Sequence, residues 1–126
     1  MLKNKVMKEY HVKVYEDRTE WFLNGKRHRE DGPAREWADG DKSWYLNGQL
    51  HREDGPAYEG ASGTKSWFIN GQRHREGGPA IEWVDGSKEW WIEGKRLTEE
   101  EFNQRTKSCN GKIVEIDGKK YKLTEI

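Results

Sequence analysis

The chain has 126 residues, with one cysteine, three prolines and no long apolar run, and each shortage excludes something. A lone Cys109 rules out an intrachain disulfide, and such sparing use of cysteine suits a reducing cytosol. The opening stretch MLKNKVMKEYHVKVYED has no apolar segment long enough for a signal peptide or a membrane span. The expectation is a soluble, cytoplasmic protein. Net charge is absent as well, with 23 basic residues against 23 acidic ones. A broad electrostatic grip on DNA is therefore disfavoured. Contact with a membrane surface is disfavoured too, because there is no basic amphipathic helix. The glycines never fall as GxGxxG or GxxxxGKS/T, so no phosphate-cradling loop is expected.

What is present is charge and tryptophan. Charged residues make up 37% of the chain and hydrophobic ones only 32%, a balance often found in disordered chains. Disordered chains are poor in aromatics, however, and this one holds seven Trp at regular places. The expectation is one folded domain with an aromatic core.

The regularity is a repeat. Trp21, Trp44, Trp67 and Trp90 follow one another at steps of 23 residues. The same step links Asn24-Gly25, Asn47-Gly48, Asn70-Gly71 and a degenerate Glu93-Gly94. It links His28, His51 and His74, then reaches Leu97, where the pattern stops. Around each Trp the residues alternate as in a strand, with Trp44 and Leu46 on one face and Tyr45 on the other. Preceding strands near 36–38, 59–61 and 82–84, with 13–15 as the opener, join it through Asp39-Gly40, Ser62-Gly63 or Asp85-Gly86. The predicted fold is mainly β: an elongated antiparallel meander of about eight strands. Residues 1–97 form the array, with repeats near 12–34, 35–57, 58–80 and 81–97. Residues 98–126 form a cap. Thr98 and Glu101 have capping-box spacing with Leu97 and Phe102 at staple positions, so a short helix should begin at Thr98. KIVEIDGKKYKL then reads as a hairpin turning at Asp117-Gly118.

Over residues 12–97 this unit resembles the MORN repeat, in the variant whose HGxG step becomes HREDGPA. Copies of that variant are common in small proteins of tailed bacteriophages. The resemblance implies elongated antiparallel arrays that serve as interaction platforms and are not enzymes by themselves, with the ligand left open. It also implies a phage setting, in which the cytoplasm would be the host's.

HREDGPA stands at residues 28–34 and 51–57, and as HREGGPA at 74–80. Its density of His, Arg, Glu and Asp invites a catalytic or metal-binding reading. Yet Asp31 and Asp54 give way to Gly77, which a catalytic carboxylate would not tolerate, whereas a backbone position with positive φ accepts Asp or Gly. The histidines should stand roughly 9–10 Å apart, one unit's advance. A zinc ion needs its ligands about 2.0–2.1 Å away, so consecutive histidines cannot share one. Each is expected to hydrogen-bond a neighbouring loop instead. Cys109 has no activating neighbour in sequence. No catalytic residue, metal or cofactor is expected.

Two features point to binding. Arg29, Arg52 and Arg75 repeat in register. Either they pair with Glu30, Glu53 and Glu76 or stack on Trp, or they form a guanidinium ladder for an anionic planar ligand or an acidic partner. In the middle unit, Gly60 replaces the tryptophan found at Trp37 and Trp83. Either a notch opens there between the two, or Tyr58 folds over and fills it. The function expected is a non-enzymatic binding protein, an accessory or counter-defence factor that binds and inhibits a host protein. The alternatives are a sponge for an anionic nucleotide signal and a structural or lipid-headgroup-binding array. A homo-oligomer is compatible with all of these.

Overall fold

A computed structural model describes residues 8–107, 113–116 and 118–122. Cys109 and Asp117 lie outside the described residues. Among the described residues the chain is mainly β, antiparallel and rich in hairpins, with one short helix towards the C-terminus. In chain order the elements are β1 (Tyr10–Val14), β2 (Arg18–Leu23), β3 (Lys26–Arg27), β4 (Arg35–Trp37), β5 (Lys42–Ser43), β6 (Tyr45–Leu46), β7 (Gln49–Leu50), β8 (Tyr58–Glu59) and β9 (Lys65–Ser66). There follow β10 (Phe68–Ile69), β11 (Gln72–Arg73), β12 (Ile81–Glu82), β13 (Lys88–Ile92), β14 (Lys95–Leu97), α1 (Glu99–Lys107), β15 (Ile113–Ile116) and β16 (Lys119–Lys122).

The expected meander is there: β1-β2-β4-β5-β8-β9-β12-β13-β14 form one antiparallel path. Its β4-β5, β8-β9 and β12-β13 hairpins turn where the glycines predict, but through three-residue loops. The Trp37 N–H donates to Asp41 O (2.9 Å) and the Gly40 N–H to Trp37 O (3.0 Å), with Gly40 at φ +107°. That is a type I turn closed by a residue only glycine occupies easily.

A second row of hairpins was not expected. At each Asn-Gly the chain turns tightly, both residues at positive φ (Asn47 +52°, Gly48 +81°), and folds back as β2-β3, β6-β7 or β10-β11. Adjacent small hairpins are tied by two hydrogen bonds. The Gly48 N–H donates to Arg27 O (2.8 Å) and the Arg29 N–H to Tyr45 O (3.1 Å); Gly71 with Leu50 and Arg52 with Phe68 repeat the pattern. Each inner tryptophan is the pivot between rows. The Trp44 N–H donates across the meander to Ala57 O (2.7 Å), while its carbonyl accepts from the His51 N–H (3.0 Å).

The core corrects a further expectation. No tryptophan among the described residues is buried; most are half-covered, and Trp83 is exposed. The buried apolar side chains among the described residues are Ala34, Ala57 and Ala80, the last letter of each HREDGPA copy, joined by Ile81 and Phe102. A methyl group is what fits where the two rows meet. Cations cover the aromatic rings instead: Arg27 lies 5.8 Å from the Phe22 ring and Arg73 lies 5.4 Å from that of Phe68.

The ends depart from the repeat. Glu20 is buried in the first unit, where the inner units bury Ser43 and Ser66. Its carboxylate accepts from Arg18 Nε (3.0 Å), Arg27 Nε (2.7 Å) and Arg35 Nε (3.2 Å). At the other end the capping box forms as expected. The Thr98 N–H donates to Glu101 Oε1 (2.8 Å) and the Glu101 N–H to Thr98 Oγ1 (3.0 Å), and Phe102 is buried. β15 and β16 pair as the predicted hairpin.

Candidate functional site

In HREDGPA most residues have an architectural task. The histidine accepts: the Asn47 N–H donates to His28 Nδ1, Asn70 to His51 Nδ1 and Glu93 to His74 Nδ1, each at 2.9 Å. The donor is the strained positive-φ residue of the next unit's tight turn, so each imidazole locks one unit to its successor. The histidines do reach a neighbouring loop, but as acceptors, which requires the neutral Nε2–H form. Replacing His51 with alanine is expected to cost about 1–2 kcal/mol, read by urea unfolding, because the Asn70 N–H loses its partner.

The arginines form a clasp. Arg29, Arg52 and Arg75 stack on Trp21, Trp44 and Trp67 at 4.0, 3.9 and 3.8 Å. Their Nη1 groups donate to the carbonyls of Pro33, Pro56 and Pro79 and to the carboxylates of Glu36, Glu59 and Glu82. The partners are thus the glutamates seven residues on, not the adjacent Glu30, Glu53 and Glu76. Glycine gives the guanidinium room: a Cβ at Gly55 would stand 3.0 Å from Arg52 Cζ, so a side chain there would push the stack by a few tenths of an ångström.

The aspartate reading needs correction. Asp31 and Asp54 are not at positive φ. They accept from Arg29 Nε (3.0 Å) and Arg52 Nε (3.1 Å), tightening the clasp. Gly77 gives Arg75 no such acceptor, and Arg75 is the most exposed of the three. A ladder of free guanidinium groups for an anionic ligand is therefore not what these residues form.

The notch is closed as well. Trp37, Gly60 and Trp83 each close one of the three-residue turns, through N–H bonds to Asp41, Thr64 and Ser87. A Cβ on Gly60 would meet the Tyr58 hydroxyl at 3.2 Å and its ring at 3.4 Å, so the phenol takes the tryptophan's space. Burial, and then the Asp41 carboxylate, push the Tyr58 phenol above its usual pKa.

Sequence reasoning missed the clefts between successive HREDGPA loops. One, of about 730 Å³, lies between residues 29–33 and a wall of Trp44, Leu46, His51 and Glu53. The next, of about 660 Å³, lies between residues 52–55 and the equivalent wall of Trp67, Ile69, His74 and Glu76. Both are half-open grooves rather than enclosed pockets. With the arginines engaged by Asp31, Asp54 and the glutamates seven residues on, the exposed rim carboxylates that no arginine holds are Glu53 and Glu76. The signal available in sequence was the repeat itself, since two adjacent copies of one loop imply a groove between them.

No family model matches this chain, and no curated protein or solved structure matches it. The clefts must be read on their own chemistry. No helix among the described residues is long and apolar enough to cross a membrane.

Proposed function

We propose that this chain is a non-enzymatic binding module whose partner is a protein, engaged through the two clefts. The observation that carries the reading is reiteration. One cleft, with a tryptophan and an aliphatic residue at its base and carboxylates on its rim, occurs twice, 23 residues apart. Paired copies of a shallow amphipathic groove suit an extended protein surface better than one small molecule. In the phage setting that the MORN-like resemblance implies, the chain is an accessory factor that occupies and inhibits a host protein. A nucleotide sponge is the weaker reading, because the arginines that would hold phosphate are already paired.

Affinity capture tests this. Tagged parent chain should retain a stoichiometric protein from bacterial lysate, and a Glu53→Arg, Glu76→Arg variant should lose it. Both residues are exposed, so the variant should melt within a few degrees of the parent. A nucleotide released by heating, with no protein retained, would overturn the reading. So would a retained protein indifferent to the charge reversal.

A further inference from the structure

The wall of each open cleft has a third copy. In the first unit it consists of Trp21, Leu23, His28 and Glu30, and there it is covered by the chain's own N-terminal strand. The Tyr10 ring stands edge-on to Trp21, centroids 5.8 Å apart at 74°, and its centroid is 6.3 Å from that of His28. Lys8 Nζ donates to Glu30 Oε1 at 2.8 Å. The cover registers in exposure: the His28 side chain is 7% exposed against 11% and 18% for His51 and His74. Glu30 is 55% exposed against 84% and 72% for Glu53 and Glu76. His28 Nε2, buried beneath the cover, has no hydrogen-bond partner, whereas in the open units that edge of the ring is less covered.

We propose that each open cleft takes from a partner protein what the first wall takes from this chain: an aromatic side chain edge-on against Trp44 or Trp67, with a lysine two residues before it on Glu53 or Glu76. The proposal rests on the protein-binding reading above and names the chemistry of the partner. Charge supports it, because the arginines of the clefts are neutralised within the fold and the exposed rim is acidic. Recognition runs through side chains rather than strand addition. β1 pairs its backbone with β2, but in the inner units that edge is taken, as the Arg29 N–H donates to Tyr45 O and the Arg52 N–H to Phe68 O. The partner therefore presents its lysine and its ring from a surface of its own, and two such pairs one repeat apart would engage both clefts at once.

The probe is a synthetic peptide with the sequence of residues 8–14, KEYHVKV, fluorescein-labelled and titrated with the full chain at low salt. Saturable binding is expected. It should weaken about tenfold when the peptide's tyrosine becomes alanine, or its first lysine glutamate, and similarly for the Glu53→Gln, Glu76→Gln chain. A melting curve of that variant matching the parent's would establish that its fold is intact. Absence of saturable binding up to about 1 mM, or binding indifferent to these changes, would overturn the proposal. If the lysate protein is still lost on charge reversal at Glu53 and Glu76, the protein-binding reading survives that failure. If that protein is indifferent as well, both fall. A parent chain that sediments as a dimer and is split by the peptide would make the occupant a second copy and overturn the partner-protein form.

Discussion

Replacing Glu20 with alanine is expected to cost about 3–5 kcal/mol, the price of leaving buried charge without its counter-ion. Against a total stability of about 5–15 kcal/mol for a domain, that is a large share. The Glu20 side chain is 3% exposed and receives the Nε of Arg18, Arg27 and Arg35. Without it, three guanidinium groups face each other with no carboxylate between them. Acid should act through the same residue. Burial pushes the Glu20 carboxyl up, but hydrogen bonds from Arg27 and Arg18 and the charges of Arg27 and Arg35 outweigh it and hold the group at about 2, from an ordinary 4.5. A depressed carboxyl stabilises the fold above its unfolded value and loses that contribution as pH falls. The loss should therefore run from about pH 4.5 down towards 2 and amount to about 3 kcal/mol. Urea midpoints across that window should fall steeply for the parent. A Glu20→Gln chain should begin lower and lack this part of the decline. A parent curve as flat as the variant's would mean that the cluster contributes nothing.

Trp44→Ala should be nearly as damaging, at about 3 kcal/mol by urea unfolding. The ring is only half-buried, so the figure sits at the low end for such truncations. Much of the loss is indirect: Arg52 loses the surface on which its guanidinium lies, and the bonds it makes to Asp54, Glu59 and Pro56 lose their alignment. Trp83→Ala is the control. Its side chain is exposed at a hairpin turn, and its removal should cost less than about 1 kcal/mol. Equal losses at the two sites would mean that the arginine stack does not organise the unit.

What could be read in the sequence was whatever depends on neighbours along the chain. The 23-residue period, the glycine-closed turns and the Thr98–Glu101 capping box all follow from local conformational preference, and all are present. Asn-Gly is the strongest short hairpin signal, and the second row of hairpins turns on it, but the repeat alone does not say which strands its short arms pair with. The partners of Arg29, Arg52 and Arg75 were harder. Glu36, Glu59 and Glu82 come within reach only through strand register, while the adjacent glutamates are closer in sequence and were the natural choice. Ala34, Ala57 and Ala80 repeat as faithfully as the tryptophans. A methyl group offers little apolar area and so gives a weak core signal, although a tight crossing of two rows admits nothing larger. The side chain of Tyr58 turned the supposed notch into a filled one, and the direction of a ring across a glycine is not a property of spacing.

Every inner unit carries an acceptor on one flank, its histidine Nδ1, and a donor on the other, the amide of its tight turn. The junctions between units are therefore interchangeable, and an in-frame gain or loss of 23 codons leaves each remaining junction chemically satisfied. The specialised ends, with buried Glu20 at one and the capped helix at the other, are untouched by such a change. Length becomes a heritable variable decoupled from foldability, and each added segment brings one more cleft. A lineage carrying this gene could alter how many contacts it makes with a target by replication slippage alone, before any single residue had to change.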